Sequence, residues 1–130
     1  MKWTEDLSVG VKIIDDQHKK LIEIINVAYN SDLQKDFEKG EEVFRDLIEY
    51  TRVHFTTEKD FFEKCIYPGA EEHIVEHMAL IEKLLEFKDK FDERSLDFHE
   101  FLEFLKTWLE DHLKVMDHKY VESFKTCGLK

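Results

Sequence analysis

Chain breakers are scarce here: four glycines and one proline in 130 residues. That scarcity fits an all-helical protein. No apolar run approaches ~18 residues, and none follows a basic start, which argues against a membrane span and a signal peptide. Cysteine is limited to Cys65 and Cys127, far apart and outside any CxxC pattern. A disulfide framework would need more, so the expectation is a reduced, cytoplasmic protein in which Cys65 is a small core residue. Positive charge is also short, with 19 Lys and Arg against 30 Asp and Glu, a net charge of −11. Nucleic acid and anionic membrane surfaces would repel such a chain, and neither is expected as a partner.

What is present is apolar periodicity. Hydrophobic residues make up 42% of the chain and charged ones 38%, with 11 phenylalanines pointing to a core rich in rings. The length suits one domain over residues 1–130. Residues 1–14 lack helical period and read as an extended arm pinned by Trp3, Val9, Val11 and Ile13. Asp15 or Asp16 can cap a first helix whose stripe is Ile14, His18, Leu21, Ile22, Ile25 and Tyr29. A second helix is expected from about Leu33 to Lys64, then a Tyr67-Pro68-Gly69 turn. A third carries His73, Ile74, His77, Leu80, Ile81, Leu84, Leu85, Lys88 and Phe91. Ser95 is the candidate cap of a fourth, whose stripe runs from Phe98 to Met116. Four amphipathic helices with short loops predict an all-α, up-down-up-down antiparallel four-helix bundle.

The stripes carry ionisable groups. His54 and Glu58 are four apart, as are His73 and His77, so each pair aims two side chains at one point. His18 and His112 complete a set of five of the seven histidines on apolar faces. A buried, unpaired charge is costly, so this set needs a common reason. Depth supplies it: at ~1.5 Å per residue, all six groups fall within roughly 15 Å of one end of the bundle. His99 and His118 fall outside and read as solvated. Asp117 follows His112 by five, a step of ~500° that points away from a regular helix face. It joins the cluster only if the helix ends or bulges in between; taken alone, it is a surface residue.

Five imidazoles and one or two carboxylates exceed the needs of one metal, and no thiol belongs to the cluster. Mixed nitrogen and oxygen donors with a carboxylate able to bridge suit two first-row metals, iron or manganese first. A rival pattern is His73-Ile74-Val75-Glu76-His77, which spells the H-x-x-E-H of some zinc peptidases with Glu76 as base. Glu76 lies off the stripe, and the remaining donors would stay unexplained.

Several stretches together resemble the hemerythrin-like family, in its single-domain bacterial form. They are Trp3…Ser8-Val9-Gly10-Val11, Asp15-x-Gln17-His18, His54-Phe55-x-x-Glu58, Tyr67-Pro68, His73-x-x-x-His77 and Trp108-Leu109-x-x-His112-x-x-x-x-Asp117-x-Lys119-Tyr120. The resemblance implies that His73, His77 and His112 hold one iron, and His18 and His54 the other. Glu58 and Asp117 would bridge both irons, together with an oxo or hydroxo group. The second iron is then left with an open position, which O2 takes in the family, inside a pocket matched by Phe55, Trp108, Leu109 and Leu113. The implied function is reversible O2 binding by a monomer that is not an enzyme; the alternative is a diffusible O2, NO or redox sensor, or a weak peroxidase. Lys59 and Phe62 depart from the family's usual Glu and Met.

Overall fold

The computed structural model describes residues 1–130. Its four long helices are α1 (Lys12–Asn30), α2 (Phe37–Cys65), α3 (Ala70–Asp92) and α4 (Phe98–Asp111). Beyond α4 the chain winds through a π-helical turn (His112–Met116) and a 3-10 turn (Asp117–Tyr120) into a short α5 (Val121–Thr126). Helix α1 packs on α2 and on α4, and α2 packs on α3. The expected four-helix bundle is therefore what the stripes build.

Each start and stop has a local cause. Helix α2 begins later than Leu33, because the Asp36 carboxylate accepts the Lys39 backbone N–H at 3.0 Å and fixes the first turn there. Asp97, not Ser95, caps α4, accepting from the Glu100 N–H at 3.1 Å. Ile66 ends α2 in the left-handed region at φ 52°. At the N-terminus, Glu5–Leu7 form a 3-10 turn, and α1 starts at Lys12, before Asp15. The Asp15 carboxylate instead accepts from Ser8 Oγ (2.5 Å) and the Val9 N–H (2.9 Å), tying the first residues to α1. Leu7, Val9 and Val11 are the buried anchors of this segment, whereas Ile13 faces solvent.

The apolar core has two parts. The larger runs through Ile22, Ile25, Phe44, Leu47, Leu84, Phe87, Phe91 and Phe101. Its rings are in direct contact: Phe44 stacks on Phe101 with centroids 4.6 Å apart, and Phe91 is stacked on Phe37 at the same separation. Each fully buried ring contributes roughly 1.5–3 kcal/mol. The smaller part, Val9, Val11, Ile14, Phe62, Tyr120 and Phe124, closes the opposite end. Between them lies a polar layer.

The cysteines contradict the reduced reading. Cys65, at the end of α2, is disulfide-bonded to Cys127, just past α5, with Cα atoms 5.5 Å apart. Each is only half-buried, with Cys65 packed at the edge of the smaller apolar cluster. Their separation of 62 residues hides the pairing from any local pattern. No helix is long and apolar enough to cross a membrane.

Candidate metal centre

The polar layer is the set of side chains singled out by spacing. His18 projects from α1, His54 and Glu58 from α2, His73 and His77 from α3, and His112 and Asp117 from the π turn and its end. All seven are buried. Asp117 arrives because the helix widens between residues 112 and 116: the Asp117 N–H donates to the His112 carbonyl, a bond spanning five residues. That extra residue turns the carboxylate inward, which a regular α-helix would not do.

The contacts have the lengths of ion pairs. His18 Nε2 is 2.9 Å from Asp117 Oδ2, His54 Nε2 2.9 Å from Glu58 Oε1, and His112 Nε2 2.9 Å from Asp117 Oδ1. His77 Nε2 lies 3.3 Å from Glu58 Oε1, and His73 Nε2 3.1 Å from Asp117 Oδ1. The directions, however, are wrong for hydrogen bonds. Both oxygens of Glu58, both of Asp117 and Nε2 of His73 are buried without a hydrogen-bond partner. Nitrogen also faces nitrogen, at 3.0 Å between His18 and His54 Nε2 and 3.3 Å between His77 and His112 Nε2. Donors aimed at shared points, rather than at each other, call for a cation at those points. Neighbouring ligands on an octahedral metal at ~2.1 Å would sit ~3 Å apart, the spacing found here.

The donors form two groups. Glu58, His73, His77, His112 and Asp117 converge on one point, and His18, His54, Glu58 and Asp117 on another. Glu58 and Asp117 belong to both, so each carboxylate can span two ions. One group offers five residues and the other four. Glu76 is in neither, which removes the ground for the peptidase reading.

The protonation states suit cation binding. Burial and mutual repulsion push the Glu58 and Asp117 carboxyls up. The imidazoles of His54 and His77 around Glu58, and of His112, His18 and His73 around Asp117, more than offset this and hold both below the usual carboxylate range. Burial lowers His77 to about 4, against the opposing pull of Glu58. Burial also lowers His18, helped by His54, while His112 is raised: burial pushes it down, but Asp117, Glu58 and Glu76 together outweigh that. Anionic carboxylates are the forms that ligate metals, and a metal ion would displace any proton held by an imidazole such as His112.

A second layer of residues holds the first. Gln17 Oε1 accepts from His54 Nδ1 at 2.7 Å, and Gln17 Nε2 donates to Thr57 Oγ1 at 3.0 Å. This fixes the ring so that Nε2 faces the cluster. Phe55 stacks on His77 with centroids 3.5 Å apart, and Trp108 on His112 at 4.4 Å. Phe62 meets His73 edge-on at 4.9 Å, and Lys59 points to the surface. The Tyr120 hydroxyl is buried without a partner, and burial, followed by the Asp117 and Glu58 charges, raises it well above the ordinary tyrosine range. Spacing gave no hint of roles for Gln17, Thr57 or Tyr120, because their contacts cross between helices.

Beside His18 and His54, and also reached by His112, is a cavity of about 20 Å³, walled by Phe55, Trp108, Leu109 and Leu113 with Leu21, Ile25 and Leu105. About 10–15 Å³ admits one water-sized molecule, so this space holds one small guest. Thr51 supplies the one hydroxyl of its lining. Of the two leftover histidines, His99 is exposed, as spacing predicted. His118 is half-buried instead, its ring nitrogens 2.7 Å from the Leu113 carbonyl and 3.1 Å from that of Asp6.

Known proteins resemble this chain over most of its length. A bacteriohemerythrin of Pseudomonas paraeruginosa is 29% identical over 123 residues, covering 95% of this chain and 80% of the relative. One from Clostridium acetobutylicum is 29% identical over 126 residues, covering 92% and 98%. The myohemerythrin of Sipunculus nudus is 29% identical over 118 residues, covering 91% and 88%. A crystal structure of wild-type hemerythrin superposes with a TM-score of 0.87 at 24% identity, covering 95% of this chain and 96% of that one, and so shares the fold. The family model described as "Hemerythrin HHE cation binding domain" matches residues 9–123, and with that match over most of its length the chain belongs to the hemerythrin family.

Proposed function

We propose that this chain is a non-haem di-iron protein that binds O2 reversibly, as a carrier, store or scavenger. The observation that carries the reading is the unequal division of donors around two shared carboxylates, with an apolar cavity that both histidines of the poorer group line and only one of the richer group, His112, reaches. His73, His77 and His112 would hold one iron, and His18 and His54 the other, with Glu58 and Asp117 bridging. One iron would then draw on three imidazoles and the other on two, with the same two carboxylates, so the second would have more room for a small ligand such as O2. Bound by these residues, an iron pair would supply the two electrons that O2 binding needs.

The chain's own residues supply selectivity and protection. Phe55, Trp108, Leu109 and Leu113 admit a small apolar guest and offer water few partners, so displacement of a bound ligand by water is disfavoured. Gln17 orients His54, and the stacked rings of Phe55 and Trp108 hold His77 and His112. Nothing in this set is placed to transfer a proton or a group to a substrate, so we assign binding rather than catalysis. We take residues 1–130 to act as a single domain and a monomer in the cytoplasm, its net charge of −11 keeping nucleic acid and anionic membranes at a distance.

The test is anaerobic loading with ferrous iron, an iron count per chain, and admission of air while the visible spectrum is recorded. The expected result is two irons and a ligand-to-iron charge-transfer band that vanishes when O2 is withdrawn. Immediate irreversible oxidation would overturn reversible binding, and a single bound zinc without colour would overturn the di-iron site.

A further inference from the structure

The disulfide joins the two elements that carry the shared carboxylates. Cys65 closes α2 seven residues after Glu58, and Cys127 follows Asp117 by ten. Between Asp117 and Cys127 the chain lies over the end of the bundle through Tyr120 and Phe124, both fully buried. Tyr120 stacks on Phe124 at 4.2 Å and faces His73 at 5.6 Å, while Phe124 meets Phe62 at 5.8 Å. Beyond this patch the segment is tied by the buried Asp117, by His118 against the Asp6 carbonyl and by Val121 and Leu129 at the edge of the smaller core, while α5 is only six residues long and ends at Thr126, one residue before the bond.

The bond is also reachable. A surface groove of about 380 Å³ opens onto both half-buried cysteines, with Lys64, Ile66 and Glu122 in its walls. Ile66 is 85% exposed beside the bond, an apolar foothold for an approaching molecule. Both cysteines sit at helix C-terminal ends, where the dipole disfavours a thiolate. Neither therefore leaves readily to a simple thiol, and a reductant with a second thiol to close its own disulfide is needed to drive exchange.

We propose that Cys65–Cys127 is a thiol–disulfide exchange site that takes a dithiol as its reductant, and that its state governs how firmly the Asp117-bearing segment is held on the bundle. The dithiol's thiolate attacks one protein sulfur, the Cys65–Cys127 bond breaks, and a mixed disulfide forms. The dithiol's second thiol then displaces the protein sulfur. Two electrons and two protons pass to the protein, which ends with two thiols, and the reductant ends as a disulfide. Reduction frees the end of the chain at Cys127, leaving only non-covalent contacts, chiefly those of Asp117, His118, Tyr120 and Phe124, to keep residues 117–130 in place.

The experiment treats the iron-loaded full chain with dithiothreitol, without denaturant, and reads three quantities: thiols by alkylation and mass, amide hydrogen exchange in residues 117–130, and iron lost to a chelator. The third readout rests on the di-iron reading; the first two do not. The expected result is no free thiol before treatment and two after it, exchange in 117–130 faster by roughly tenfold, and faster iron loss. Cys65→Ser/Cys127→Ser should show the fast exchange with or without dithiol. Should that variant not fold, wild-type protein alkylated after reduction takes its place. Two free thiols before treatment, or a bond that resists dithiol until the protein is denatured, would overturn the exchange site. Unchanged exchange on reduction would overturn the hold on the segment. If dithiol speeds iron loss equally in the double variant, the reductant acts on iron directly and the link to the metal centre fails.

Discussion

Acid should destabilise the metal-free protein over a window set by His77. Its imidazole has an ordinary value of 6.5 and is lowered by burial to about 4 in the fold. A group depressed in this way contributes its full stability above the unfolded value, and loses it as pH falls toward the folded one. Between about pH 7.5 and pH 5 the unfolded chain takes up the proton while the folded chain does not, so His77 alone costs about 2 kcal/mol of stability. His18 is shifted in the same direction, whereas His112 is raised and opposes it. Glu58 and Asp117 are depressed carboxylates, whose contribution is lost only in stronger acid. The assay is urea unfolding of chelator-treated protein, followed by circular dichroism, at the two pH values. For a chain of this size, 2 kcal/mol moves the midpoint by about 1 M urea. His77→Gln, neutral throughout, should lose that part of the dependence. An equal pH effect in wild type and His77→Gln would refute the assignment, since the proton uptake would then belong to other groups.

Glu58→Ala should abolish binding of both metals together, because it removes a donor from both groups; normal two-iron content in that variant would refute the bridging role. His99→Ala, the exposed control, should leave metal content unchanged. Gln17→Leu frees His54 Nδ1 and should weaken metal binding by about 10–100-fold in a competition titration with a chelator, with helicity unchanged. Gly40→Ala places a methyl group in the Phe91 ring, which Phe37 and Phe44 hold on other sides. Overpacking there costs about 1–3 kcal/mol, more than the ~1 kcal/mol that alanine gains over glycine in a helix, so the melting temperature should fall.

Much of the bundle is legible because helices bury faces at a fixed period. The stripe from Phe44 through His54 and Phe62 shows which residues face inward without any knowledge of what they meet. Boundaries were less legible. Leu33 is buried, as its apolar character suggests, yet it precedes α2, since the Asp36 cap decides where the helix begins. Tyr29 and Leu85 sit on stripes but near their edges, and both remain exposed. Asp117 is the clearest divide. Spacing alone placed it on the surface, and the resemblance made it a ligand candidate. The π turn is the physical reason it can reach inward.

The sequence by itself determined the helices, the end of the bundle where the ionisable groups gather, and the pairs His54/Glu58 and His73/His77, all consequences of local geometry within one helix. Only the tertiary structure decided what depends on how helices lie against one another. It brought Glu58 and Asp117 within reach of both donor groups, set Gln17 against His54 across α1 and α2, and left about 20 Å³ open beside His18 and His54. It also paired Cys65 with Cys127 across 62 residues. Side-chain periodicity is written into the order of residues; the register and spacing between helices come from packing, which no single stretch of chain contains.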